Sequence, residues 1–535
     1  MRSNRKKEII FLMSESNTRT QPSSTARKIF WNTISQIIGK AIIMVLGIVV
    51  VKLATNYLGK SGFGEYATSY EYLAFFGIVA DLGLYTVGIR EMAKDEKRIP
   101  MIMGNVLSVR TIVAFLMVGV AIISAFFIPQ YQNTSIPFAI IIAGIATIFN
   151  LLTSSICAVL QVYLKMEYNS LASVIGKLVN VLYMLFVIYV LHTTDKVAGL
   201  YQMVWAGAVG NFVMLAITYY YSSKLTKIRY RFDKEFFTDV ILKALPYGIA
   251  LVLNTIYFRI GSILLSLMKS TDDVSIYRVP MTMLETVGII PLYFMNSVFP
   301  FLTRSLANKD GHHHKIIQYS FDFLVMGSMP IIAGTVVLAT PLIYAISSQE
   351  FLSNLAVGFY GSDIILQVLI FALAFSFINS LFGFILIADN RQMDILKRNL
   401  LGAVLTIILD LIFIPYYGVR AAAASNVITE FYVATASYLI AKHYLKFTVR
   451  FGNALKSAFC ALVMGLSVYF LRRPTYAIME NKNLLLLIPI GGIIYVGMLF
   501  LTKTITSDMI NLIRKKKPAP AVATSESGES MDSPQ

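Results

Sequence analysis

The sequence predicts an all-α integral membrane protein with about fourteen transmembrane helices. Three observations carry this. Hydrophobic residues make up 56% of the 535 residues and charged residues 14%, at a mean hydropathy of +0.67, more apolar surface than one soluble core of ordinary composition uses. Apolar runs of about 20 residues, the length that crosses a bilayer, recur from near residue 30 to near residue 502. Lys and Arg fall in short clusters between these runs and favour alternate loops, as the positive-inside rule requires.

In chain order the expected spans lie at 30–56, 64–89, 102–128, 136–162, 169–191, 197–221, 237–268, 274–302, 316–346, 362–387, 395–415, 419–441, 452–471 and 484–502. With the N-terminus placed inside, 31 of the 46 Lys and Arg fall on the cytoplasmic side, 7 on the outer side and 8 within spans. One miscounted helix would scramble that alternation, so it supports both an even count and two cytoplasmic termini. Residues 1–29 are expected to form a basic cytoplasmic tail. Their only apolar run, Ile9 to Met13, is too short for the core of a signal peptide, and translation could begin at Met1 or at Met13. Residues 505–535 have the composition of a disordered cytoplasmic tail.

The halves echo each other. LGKSGFGEY at 58–66 leads into the second span and LMKSTDDVSIY at 267–277 into the eighth, and each span ends near a cytoplasmic arginine, Arg90 or Arg304. A parallel repeat fits, with an N-lobe over 30–221 (spans one to six), a C-lobe over 222–445 (seven to twelve) and two further spans over 446–504. Pro246, Pro280, Pro291, Pro330 and Pro341 fall inside the seventh to ninth spans, where proline frees carbonyls and kinks helices. The second lobe is therefore expected to be the more pliable.

Ionisable residues inside a span are costly unless they face water, protein or a partner charge. Four spans, two in each half, place a cation on a polar stripe at helical spacing. These are Asn32, Ser35, Gln36, Gly39 and Lys40; Asn169, Ser173, Lys177 and Asn180; Thr255, Arg259, Ser262 and Ser266; and Arg278, Thr282 and Glu285. Lys40, Lys177, Arg259 and Arg278 are the candidate substrate-binding cations of a central water-filled cavity. The competing reading for each is a structural ion pair, with Glu285 two turns below Arg278 as its partner. Asp81, Glu285, Asp410 and Glu430 are candidates either for ion coupling by Na⁺ or H⁺ or for charge balance. Arg90 and Arg110, toward the cytoplasmic side, are candidates for a gate or a structural pair. A cationic cavity suits an anionic substrate, because arginine offers paired donors that match phosphate oxygens.

Several function classes are disfavoured. The net charge of +17 is dispersed between spans, unlike the single basic face of a nucleic-acid binder. Cys157 and Cys460 lie far apart in apolar runs and imply no disulfide framework. His312-His313-His314 stands in a basic loop without a Cys or acidic complement, and GKSGFG lacks the full phosphate-loop pattern. No cofactor or metal is implied.

Three stretches carry a resemblance to a known family. Residues 58–91 hold a glycine-rich turn, Asp81-Leu82-Gly83 and Arg90-Glu91; residues 277–305 end in PFLTR; residues 388–430 hold Asn390-Arg391, an IPYYG turn, a run of small residues and Thr429-Glu430. The pattern resembles the polysaccharide biosynthesis proteins, the Wzx-like oligosaccharide flippases of the MOP (multidrug, oligosaccharidyl-lipid, polysaccharide) exporter superfamily. That resemblance implies a MATE-like fold of two rocking six-helix lobes in the cytoplasmic membrane, with the last two helices bordering a groove for the lipid tail. It also implies an isoprenoid-pyrophosphate-linked oligosaccharide as substrate, alternating access, and other polysaccharide-biosynthesis membrane proteins as possible partners. One departure stands out: many relatives carry an aspartate in the seventh helix after an Arg-Ile pair, whereas Arg259-Ile260 is followed here by Gly261. An exporter of small organic cations is an alternative, disfavoured by the lack of an acid at comparable depth in the first or seventh span. A membrane polysaccharide polymerase or ligase is another, disfavoured because the longest outer loop, 347–361, holds one acid and no His, Lys or Arg.

Overall fold

The computed structural model describes residues 22–81, 83–191, 195–233, 248, 252–253, 259–308, 311–479 and 483–505, with the side chains of 22–33 and 477–479 left aside. Residues 1–21 and 506–535 of the expected tails, Pro246, Thr255 and the side chain of Asn32 fall outside that set, whereas residues 22–29, expected in the N-terminal tail, are helical. The described residues are almost all helical. In order they form α1 (Pro22–Asp81), α2 (Leu84–Lys94), α3 (Ile99–Phe127), α4 (Ile136–Val162), α5 (Met166–Phe186), α6 (Lys196–Ser223), α7 (Arg259–Met268), α8 (Thr271–Val287), α9 (Ile289–Asn308), α10 (His313–Ile346), α11 (Ser362–Ala388), α12 (Gln392–Tyr417), α13 (Val419–Leu445), α14 (Gly452–Met479) and α15 (Leu484–Leu501).

Eleven of the described helices are long and apolar enough to cross a membrane, against about fourteen spans expected from sequence. Three places account for the difference. The first two spans are counted as one in α1 but are two helices that meet at a kink at Gly59 (φ 69, ψ −170), where the expected glycine-rich turn opens, a positive-φ conformation that glycine adopts without a Cβ penalty. Only the last part of the seventh span, α7, is described. The twelfth, α13, is long enough, but Arg420, Ser425, Asn426, Thr429 and Glu430 lower its hydropathy. The eighth span breaks at Gly288 between α8 and α9, and α14 extends eight residues beyond its expected end at 471. Internal prolines lie at Pro280, Pro300, Pro330 and Pro341, and also at Pro415, Pro474 and Pro489.

Helices before residue 224 pack mainly among themselves, as do those after 258, and α14 and α15 attach to α10. Among the described residues the chief contact between the halves is α1 against α8. Large apolar side chains such as Phe115, Ile123 and Phe127 on α3, and Leu455, Leu462 and Phe470 on α14, are exposed, as expected of faces that meet lipid hydrocarbon. Loops that the alternation of Lys and Arg assigns to one side also meet at one end. Lys60 pairs with Asp272 at 2.9 Å, Tyr131 and Ser266 share a hydrogen bond of 2.6 Å, and the Lys60 amide donates to Glu350 at 3.1 Å.

Candidate functional site

The junction of α1 and α8 is built from two layers, each set by the same seven-residue step along both helices. In the outer layer Gly64 lies against Thr271. A Cβ at Gly64 would overlap the Thr271 carbonyl oxygen and stand 2.5 Å from its carbonyl carbon, so only glycine permits this approach. Ser61 and Thr271 hydroxyls lie 3.4 Å apart at the same level. Seven residues further, two helical turns and about 10 Å deeper, Glu71 meets Arg278. The equal step on both helices means that the two parallel segments hold one register, as the echo between 58–66 and 267–277 anticipates.

Glu71 is the hub of the inner layer. Its side chain is 7% exposed, and it accepts from Arg259 Nη1 at 2.6 Å and from Arg278 Nη2 at 3.0 Å. Arg278 also donates from Nη1 to Glu285 at 3.0 Å, the pair anticipated from their two-turn spacing. Two arginines and two glutamates thus balance in formal charge. Desolvation of the buried members is offset only while each keeps its partners, so losing one partner costs far more than the pair contributes. Arg259 (32% exposed) and Glu285 (47% exposed) form the open edge of the network.

The other candidate cations are not in this network. Lys40 is exposed and lines a separate cavity of about 390 Å³ between α1, α4 and α5, with Gln36, Asp81, Asn150, Ser154 and Asn169 among its walls. A Cβ at Gly39 would meet Ser170 Cβ at 2.9 Å, so glycine lets α5 close against α1 beside Lys40. Neither Lys177, Arg259 nor Arg278 lines that cavity. Lys177 is half-buried on α5 and forms no hydrogen bond or ion pair among the described residues. The expected single basin of four cations is therefore divided: two arginines are compensated by carboxylates, and two lysines lie in the other half.

Arg110 is buried, pairs with Asp81 and donates to Ser154 Oγ at 2.6 Å, which ties α3 to the wall of the Lys40 cavity. Arg90 is exposed near the end of α2. Asp410 on α12 is 1% exposed, with the Ser425 side chain beside its carboxylate. A Cβ on Gly261 would lie 3.4 Å from Asp410 Oδ2 and 3.5 Å from the Tyr277 hydroxyl. The position where many relatives carry an acid is thus glycine, and an acid from another helix faces it. Glu430 on α13 is buried near the Thr406–Thr429 hydroxyl pair, which is 2.9 Å apart.

Sequence reasoning passed over Glu71. It lies among Tyr70, Tyr72 and Leu73 in an apolar run, without the polar stripe that marked the cations. The one available signal was an acid two turns after Gly64. Arg398, which donates to Asn379 Oδ1 at 3.2 Å and Asn399 Oδ1 at 2.8 Å, is a further buried cation that sequence reasoning did not single out.

Among solved structures, the lipid II flippase MurJ in an inward closed conformation is similar at a TM-score of 0.70 and 15% identity, over 91% of this chain and 100% of that one. An inward-facing multidrug resistance MATE family transporter of the MOP superfamily gives 0.60 at 14% identity, over 77% and 98%. A MOP superfamily transporter from Pyrococcus furiosus, described by the reversed polarity of its binding pocket, gives 0.51 at 14% identity, over 76% and 95%. These likenesses are of fold. No curated protein matches the chain by sequence. The family described as polysaccharide biosynthesis protein matches residues 26–306, just over half of the chain and inclusive of both layers of the α1–α8 junction. The fold around that junction is MurJ- and MATE-like, and by the family match the chain belongs to the polysaccharide biosynthesis protein family.

Proposed function

We propose that this transporter moves an isoprenoid-pyrophosphate-linked oligosaccharide from the cytoplasmic to the outer leaflet by alternating access. The observation that carries the proposal is the junction between halves, where Glu71 holds Arg259 and Arg278 beneath the Gly64–Thr271 contact. In the closed arrangement Glu71 and Glu285 occupy guanidinium donors that a pyrophosphate would otherwise take. A lipid pyrophosphate reaching Arg259, the exposed member, competes with Glu71 for the same donors and loosens the bond between halves. Lys40 and Lys177, free of carboxylate partners among the described residues, attract the head group from the other half. Bound substrate thereby acts on the equilibrium through contacts that differ between the two states, which is the only way a ligand can shift it.

Asp410, buried and facing Gly261 and Tyr277, is the residue through which Na⁺ or H⁺ coupling would act. The proposed setting is the cytoplasmic membrane, with both termini inside and other membrane proteins of polysaccharide synthesis as possible neighbours.

The test is translocation of a fluorescent isoprenyl-pyrophosphate-linked sugar in proteoliposomes, comparing wild type, Arg259→Ala and Lys40→Ala at matched folded protein. Transport by the wild type that falls in either variant supports the reading. Wild-type protein that moves none of the lipid but extrudes a lipophilic cation replaces it with a cation exporter.

A further inference from the structure

A second charged cavity lies at the end of the bundle where α1 bends, far in sequence from the junction of the halves. It has a volume of about 270 Å³ and is lined by Thr340, Tyr344, Gln349, Arg472, Tyr476 and Asn483, among others. An adjoining cavity shares Arg472 and Tyr476 and adds Arg473 and Tyr469. Among the described residues no carboxylate lines either one.

Arg472 is held by a defect in α10. Pro341 has no N–H, so the carbonyl four residues earlier, that of Val337, loses its helical partner. Arg472 Nη1 donates to that carbonyl at 3.1 Å. The bond fixes the guanidinium and leaves its remaining donors without partners among the described residues. Opposite stands Asn483, the N-cap of the 18-residue helix α15. It is 1% exposed, yet its Oδ1 and Nδ2 both lack a hydrogen bond, and it makes no side-chain cap. An amide buried beside an empty polar space without a partner incurs a desolvation cost that a ligand would relieve. The first amides of α15 behind it carry the positive end of the helix dipole, which favours an anion. Lys52 does not contribute donors, because its ammonium is taken by the carbonyls of Tyr344 and Ser347 at 2.8 and 2.5 Å.

From a positioned arginine, a second arginine beside it, an unpartnered buried amide and a helix N-terminus, we infer that this cavity binds a phosphate group carried by a lipid. The ligand is either the pyrophosphate of an isoprenoid lipid or the phosphodiester of a bulk anionic phospholipid. Arg472 supplies paired donors, the Asn483 amide a further one, and the apolar faces of α14 and α15, with Phe470 and Leu485 exposed, flank the tail. The site does not depend on the transport reading, since it would hold for either lipid and whichever substrate crosses.

The test is photo-crosslinking in nanodiscs with a benzophenone-bearing farnesyl pyrophosphate, read by peptide mass spectrometry. Adducts are expected on the segment from Tyr469 to Tyr476, and Arg472→Gln should reduce them about tenfold, the scale of losing a charged hydrogen-bond donor. Pro341→Ala returns the Val337 carbonyl to its helix, frees Arg472 and should also weaken labelling, with no risk of an unpaired charge. Competition by inorganic pyrophosphate assigns the site to the isoprenoid head group, and competition by phosphatidylglycerol alone assigns it to bulk lipid. Labelling of this segment that is unchanged in both variants, or absent while other segments are labelled, overturns the assignment.

Discussion

Replacing Gly64 by a residue with a side chain should open the outer end of the protein. In the structure a Cβ there stands 2.5 Å from the Thr271 carbonyl carbon and 3.0 Å from Thr271 Cβ. Carbon atoms in ordinary contact lie about 3.5 to 4 Å apart, so α1 and α8 must part by about 1 Å or more. The obstacle is backbone and cannot swing aside as a side-chain tip would. Overpacking of this kind costs about 1–3 kcal/mol, enough to shift a two-state equilibrium by roughly 5- to 150-fold. The arrangement without this contact pays none of that cost, so its population should rise by the same factor. Spin labels at Gln132→Cys and Val357→Cys, in loops of opposite halves at this end, report the separation. Cys157 and Cys460 are buried and leave little background labelling. Gly64→Val should broaden the distance distribution toward longer values and slow transport, while Gly119→Ala, which meets nothing within 4 Å, should do neither. A Gly64→Val protein with the wild-type distribution and rate would refute the closed contact.

Four further outcomes follow from the same geometry. Glu71→Gln leaves Arg259 and Arg278 under-compensated and should lower stability by about 3–5 kcal/mol, the cost of breaking a buried pair, seen as a lower Tm in detergent. Lys40→Ala removes an exposed cation without a partner and should change stability by less than about 0.5 kcal/mol while reducing lipid translocation. Arg110→Ala strands Asp81 and Ser154, so the Asp81→Asn/Arg110→Ala double variant should be more stable than Arg110→Ala alone; a double-mutant cycle of thermal shifts checks this. Asp410→Asn removes a buried carboxylate that no cation pairs among the described residues, keeps an acceptor for Ser425 and should leave stability equal or higher, while any Na⁺ or pH dependence of transport disappears.

Much of the fold was legible because its signals are local. Span 136–162 coincides with α4, whose apolar run is bounded by Ser135 and by Pro137 in the first turn. The break between the first two spans was legible too, since the glycine-rich turn that opens at Gly59 coincides with a residue whose backbone is not helical (φ 69, ψ −170). The break at Gly288 was hidden, because apolar residues run unbroken across it. The site was legible in part. The Arg278–Glu285 pair follows from spacing on one helix, and an exposed Lys40 on a cavity wall follows from its polar stripe. The partners of Glu71 do not follow, since Arg259 and Arg278 lie 188 and 207 residues away and no periodicity links one half of the chain to the other. The same holds for Asp410 facing Gly261, which brings together residues of two helices far apart in sequence.

In the proposed function, the anionic head group of the lipid acts on the bond between the two halves at Glu71, Arg259 and Arg278. The most direct measurement is the Gln132–Val357 spin-label distance in nanodiscs, with and without an isoprenyl-pyrophosphate-linked sugar. The prediction is that the lipid lowers the closed population in the wild type and leaves it unchanged in Arg259→Ala. A closed population that does not respond to saturating lipid in the wild type, or responds equally in Arg259→Ala, would contradict the account.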